Sequence, residues 1–113
     1  MVIERGSVFW CDLDPIIGHE QGKTRPVVVV SSNSYNSTNS PMVAIVPLAK
    51  SAPKTPLHLR FSAAQTGLDQ EATALVDHAR FLDRSRLSPS PIGRLSSASL
   101  ALLNRYLARV FAL

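Results

Sequence analysis

One cysteine, Cys11, is all the sequence has, so no internal disulfide can form, which fits a reducing compartment. No apolar run approaches the ~18–20 residues a membrane helix needs, so no membrane span is expected. The opening "MVIERG" has no basic segment followed by a long apolar stretch, so it is not read as a secretion signal, and a cytoplasmic location is expected. His19, His58 and His78 with one cysteine show no metal-ligand spacing, and no Gly-x-Ser-x-Gly occurs. Neither a metal nor another cofactor is therefore expected. "GKT" (22–24) is not a phosphate loop. Gly18 and Gly22 are separated by three residues instead of four, and a strand follows where a helix should. "NST" (36–38) fits a glycosylation acceptor but means little without a secretion signal. There is no internal repeat and no low-complexity segment.

What is present suits one domain over residues 1–113. Hydrophobic residues make up 45%, enough for a core, while only 18% are charged, which argues against a disordered chain. The net charge is +4 and the pI near 9.8, a balance common in proteins with a polyanionic partner. Arginine outnumbers lysine nine to three, and its planar fork suits phosphate and base contacts. Six of the arginines follow residue 79, where Asp83 alone opposes them.

The hydrophobic pattern predicts short strands separated by polar loops. "SVFWCDL" (7–13) reads as a strand and "DPIIGHEQGKT" (14–24) as a long loop. "RPVVVVSS" (25–32) is β-branched throughout, the mark of a strand covered on both faces. "NSYNSTNSP" (33–41) reads as a loop, "MVAIVPL" (42–48) as a strand with Pro47 near its end, and "AKSAPKTP" (49–56) as a second polar loop. "LHLRF" alternates, with Leu57, Leu59 and Phe61 on one face and His58 and Arg60 on the other. "TALVDHARFL" (73–82) predicts one or two more strands, and "DRSRL" (83–87) a helical turn. In "SSASLALLNRYLARVFAL", Leu100, Leu103, Leu107 and Val110 recur at helical spacing, joined by Tyr106 and Phe111. Ser96 or Ser97 can cap this helix, and Asn104, Arg105 and Arg109 fall opposite. The expected fold is mainly β (α+β): a small twisted antiparallel barrel closed by a C-terminal helix.

The chemistry gathers at loops and strand ends: His19, Glu20, Lys23, Arg25, Asp77, His78 and Arg80. "GHEQGKTRP" is the densest stretch and runs straight into the valine strand. With "RGSVFWCDLDP", "VAIVPL", "ARFLDRSRL" and "IGRLSSASLALLNRYL", it makes nearly the whole chain resemble the MazF/PemK (Kid) toxins of bacterial toxin–antitoxin systems.

That resemblance implies an SH3-like barrel and a homodimer, with a cognate antitoxin as partner. It also implies a metal-independent, sequence-specific endoribonuclease acting on single-stranded RNA. In such cleavage the substrate's 2′-OH attacks phosphorus, leaving 2′,3′-cyclic phosphate and 5′-OH ends. Arg25 matches the family's catalytic arginine before proline. Glu20 matches a glutamate tied to activity, His19 the histidine of the Kid-like branch, and Asp77 that branch's general base. The chain departs from the pattern at Leu75, where an arginine is expected, and at Ala49, where Thr or Ser usually follows the strand. Ser51 is the nearest substitute hydroxyl. RNA contacts are expected from Lys23, Asn33, Tyr35, Asn36, Asn39, Lys50, Ser51, Lys54 and Arg80. Phe9, Trp10 and Cys11 are expected in the core or a dimer contact. The missing hydroxyl leaves open a weak or inactive relative that binds RNA or antitoxin; the other alternative is a CcdB-like inhibitor of DNA gyrase on the same fold, a group that lacks the "GHEQ…RP" block this chain has.

Overall fold

The structure, a computed structural model, describes residues 2–14 and 23–113. His19 and Glu20 lie outside the described residues. The chain runs β1 (Ser7–Asp12), β2 (Thr24–Val29), α1 (Asn33–Asn36), β3 (Met42–Ala49), β4 (His58–Phe61), α2 (Ala63–Thr66), β5 (Ala72–Leu75), β6 (Arg80–Asp83), β7 (Gly93–Arg94) and α3 (Ser97–Phe111). One-turn 3₁₀ segments at Val76–His78 and Arg84–Arg86 flank β6.

The valine run of β2 sets the architecture. Val27, Val28 and Val29 are all fully buried, and because strand side chains alternate they enter two different cores. Val28 joins Val8, Val46, Leu48, Phe61 and Val76 on the face covered by α3. Val27 and Val29 join Phe9, Val43, Ile45 and Leu82 on the other. The sheet is antiparallel and curls into a half-barrel, in the order β4-β5-β3-β2-β1-β7, with β6 also paired to β3.

Strand β3 holds this together because it pairs three neighbours. Met42–Ile45 pair with β6, Leu48–Ala49 with β5, and Ile45–Pro47 with β2. Pro47 has no N–H to give to a ladder, and it sits between the β6 and β5 pairings. The segment read as one or two strands contains two, β5 and β6, and the helical turn expected after them is present.

Helix α3 begins at Ser96, whose hydroxyl accepts the Ser99 N–H at 3.1 Å. Leu103 and Leu107 are buried, with Leu100, Tyr106 and Val110 packed beside them. Phe111 departs from the expected apolar stripe: it is 56% exposed. The polar face is tied down through Asn104, which accepts an Arg5 Nη2–H at 2.5 Å.

Two short helices fall where the hydrophobic pattern had shown none. Residues 33–36 were expected as loop but form a helical turn, because the Ser32 hydroxyl accepts the Tyr35 N–H at 3.1 Å. In α2, Ser62 and Gln65 form a reciprocal capping box. Gly67 ends α2 in the left-handed region, at φ 79°. The turn brings Thr66 against β7 so closely that a Cβ on Gly93 would overlap the Thr66 carbonyl. Gly93→Ala is expected to lower unfolding stability by about 1–3 kcal/mol, as overpacking does. Urea unfolding of the variant checks this, and an unchanged midpoint would show that α2 and β7 can part freely.

Candidate functional site

Strand ends carry the polar groups that the two-sided core excludes. At the start of β2, Arg25 faces Cys11 in the ladder, and Pro26 faces Trp10. Arg25 lines a surface groove of about 360 Å³ together with Trp10, Pro26, Leu48, Ala49 and Lys50. The opposite wall is the segment Leu68–Ala72, which brings Asp69, Gln70 and Glu71 to the rim. The Arg25 Nε is buried and has no hydrogen-bond partner among the described residues. A guanidinium with an unused donor at a groove is ready for an anionic ligand or for a loop carboxylate.

The loop after β3 is fastened to the sheet through the outward residues of β4. Arg60 Nη1 donates to the Lys50 carbonyl (3.1 Å), the Ser51 carbonyl (3.0 Å) and Thr73 Oγ1 (2.7 Å). Thr73 is fully buried and itself donates to the Ser51 carbonyl at 2.5 Å. At the other end of the loop, the Lys54 N–H donates to His58 Nδ1 at 3.2 Å. That bond leaves the proton on Nε2, which donates to Asp77 Oδ1 at 2.9 Å. His78 Nε2 lies 3.8 Å from the same oxygen. His58, Asp77 and His78 present donor atoms within 4.8 Å of one another. Because His58 spends both ring nitrogens on hydrogen bonds, the trio is a hydrogen-bonded chain rather than an open set of lone pairs.

The expected site residues are only partly gathered. Arg25 and Lys50 share the groove. Asp77 stands on the Val76–His78 turn with His58 in place of the arginine expected at position 75. Lys23 precedes β2 with φ 62°, and its N–H donates to Asp14 Oδ1 at 2.7 Å. Ser51 and Lys54 belong to the fastened loop, through their backbones. Asn33 and Asn36 line a separate cavity with Ile3 and Arg84. Asn36 is a correction. Its amide is buried and spent on Ser31, donating to the carbonyl at 2.9 Å and accepting from the hydroxyl at 2.5 Å, so it shapes the turn and presents no edge to a ligand. Asn33 accepts the Arg5 N–H at 2.7 Å. Tyr35 packs edge-on against Phe81, with its hydroxyl 2.8 Å from Ser40 Oγ. Arg80 lines an apolar groove beside Phe81, Ala108 and Phe111.

Trp10 was expected in the core or a dimer contact; it is not in the core but 45% exposed, and it lines the groove. Composition and spacing also passed over Asp69, Glu71, Arg60 and His58. The alternation in "LHLRF" did place His58 and Arg60 on one face, and that was the available signal. Opposite the hydroxyl-free Ala49 stands Thr73, already committed to Arg60 and Ser51.

The half-barrel is matched by known proteins. The family model for the PemK-like, MazF-like toxin of type II toxin–antitoxin systems matches residues 4–111. Endoribonuclease MazF9 of Mycobacterium tuberculosis is 35% identical over 111 residues, covering 94% of this chain and 93% of that protein. MazF from Deinococcus radiodurans superposes with a TM-score of 0.84 at 27% identity, over 100% of this chain and 99% of that one. A MazE–MazF structure from the same organism gives 0.77 at 28% identity, over 100% and 98% of the two chains. The chain belongs to the PemK/MazF family of type II toxins.

Cys11 lies directly across from Arg25 but is no nucleophile. Burial pushes its thiol up to about 11, with Arg80 and Arg86 only partly opposing the shift. A folded value above the unfolded one means this group supports folding below about pH 9 and loses that support as pH climbs toward 11. Native protein is expected to resist iodoacetamide at pH 8 and to be alkylated fully after unfolding in urea, as mass spectrometry will read. Fast labelling of the native protein would contradict the burial.

Proposed function

We propose that residues 1–113 act as one toxin domain: a sequence-specific, metal-independent endoribonuclease that cuts single-stranded RNA and is held in check by a cognate antitoxin. The observation that carries this reading is the buried, unpartnered Nε of Arg25 at a groove shared with Lys50, in a chain of this toxin family. In the reaction the RNA 2′-OH attacks the adjacent phosphorus, the P–O5′ bond breaks, and charge builds on the phosphorane oxygens. Arg25, permanently cationic, stabilises that charge, and Lys50 adds a phosphate contact. The proton from the 2′-OH and the proton to O5′ are moved by the set His19, Glu20 and Asp77, with His58 orienting the last. Lys23, Ser51 and Lys54 contact the RNA along the loop edges, so affinity falls as salt rises. The protein works in the cytoplasm as a homodimer. The apolar groove beside α3, with Phe81 and Phe111 each 56% exposed, supplies surface for the second copy.

A second reading, a catalytically weak relative, is favoured by Ala49. It is buried at the groove and offers no hydroxyl to the transition state.

Cleavage of a long single-stranded RNA in EDTA separates the two. The wild type is expected to cut at a repeated short sequence, leaving cyclic phosphate and 5′-OH ends. Arg25→Ala is expected to lose about 10²–10³-fold in rate, the cost of removing a preorganised charge-stabilising group. Ala49→Thr is expected to cut faster than wild type. Cutting by Ala49→Thr alone establishes the weak relative. No cutting by either protein overturns the ribonuclease and turns attention to a CcdB-like inhibition of gyrase.

A further inference from the structure

The groove contains more than phosphate binding requires. Its floor is a row of side chains running across three strands. Trp10 pairs with Pro26 in the β1–β2 ladder, and the β2–β3 register, which places Val28 against Val46, carries Pro26 to Leu48. All three line the groove. The row begins at a half-exposed indole and ends at a fully buried leucine. An exposed tryptophan on an apolar shelf leaves apolar surface in water, which a stacked aromatic ligand would cover.

The two rims differ in charge. Arg25 and Lys50 are on one side, Asp69 and Glu71 on the other. Glu71 lies 3.4 Å from Arg60, which takes up its charge. Asp69 is exposed, with no ion-pair or hydrogen-bond partner among the described residues. A phosphate would be repelled by that carboxylate. A base edge carrying an exocyclic amine would be attracted to it.

Resting on the ribonuclease reading, we propose that this groove is a subsite for one nucleotide of the RNA. Its base stacks on Trp10, its exocyclic amine donates to Asp69, and its phosphate lies toward Arg25 and Lys50. Adenine, cytosine and guanine carry such an amine. Uracil presents two carbonyls flanking its one N–H, and these face Asp69 as acceptor against acceptor. Uracil, with its one N–H set between two repelled carbonyls, is therefore disfavoured at this position, and Trp10 and Asp69 are specificity-determining residues.

Trp10 is the one tryptophan of the sequence, so its fluorescence reports the stack directly. The probe is a 2′-O-methyl copy of the RNA segment that the wild type cuts fastest, which binds without being cleaved. Its titration is expected to quench the emission. Trp10→Ala is expected to weaken binding about tenfold or more, in the range of base–aromatic stacking, and Trp10→Phe by less than about threefold. In matched RNA substrates, uracil at one position beside the cut is expected to slow the wild type about tenfold, and Asp69→Asn to erase that preference. If the wild type cuts RNA but the probe leaves the emission unchanged, the subsite is overturned while the ribonuclease stands. The same holds if both Trp10 variants and Asp69→Asn keep the wild-type base preference. Quenching by an acidic peptide but not by the probe would assign the groove to a protein partner and overturn the proposal. If the wild type neither cuts nor binds RNA, the ribonuclease reading fails and takes the subsite with it.

Discussion

Everything in this molecule is arranged around a pair of strands that have no solvent face. With Val27, Val28 and Val29 all fully buried, the second half of β2 accepts only apolar side chains, and β3 beside it is nearly as restricted. Polar chemistry is displaced to where the strands begin and stop. Arg25 and Lys50 are in those places, at the ends of strands paired in the valine ladder.

The same constraint explains the division of labour among the outward residues. β4 lies at the edge of the sheet and keeps one polar face, used for holding rather than reacting. Arg60 grips the start of the loop and His58 its end, and His58 also fixes Asp77. Thr73 completes the grip from β5. The loop therefore stands in a fixed relation to the groove although it is largely exposed. Ala49 has no hydroxyl to add to this scaffold, and the hydroxyl opposite it, on Thr73, is already part of it.

The strands, the covered valine run and α3 were legible because each has a hydrophobic period that few other structures produce. Phe111 departed from its helical stripe: it is the last residue of α3 and stands more than half exposed. The turns at 33–36 and 62–67 were missed because they are made by hydroxyl caps, not by apolar periodicity; Ser62 with Gln65 was visible as a capping pair and the turn at Ser32 had no such box. Arg25 was singled out among the polar groups at loops and strand ends, and Lys50 within the polar loop read at 49–56. Their acidic counterpart was not, since the register that brings residues 68–72 across from Trp10 is a property of the folded sheet. Asn36 misled for a plain reason: an asparagine in a polar stretch looks the same whether its amide faces water or its own backbone.

The loop between β3 and β4 is held by atoms common to every residue. Arg60 binds carbonyl oxygens at 50 and 51, and His58 binds an amide N–H at 54. The side chains of Lys50, Ser51 and Lys54 take no part in the anchoring. Substitution at these positions leaves those backbone anchors intact, so the outer surface of the loop can diversify while its shape is kept. A fold built this way can change the chemistry of a loop surface without changing the loop's path.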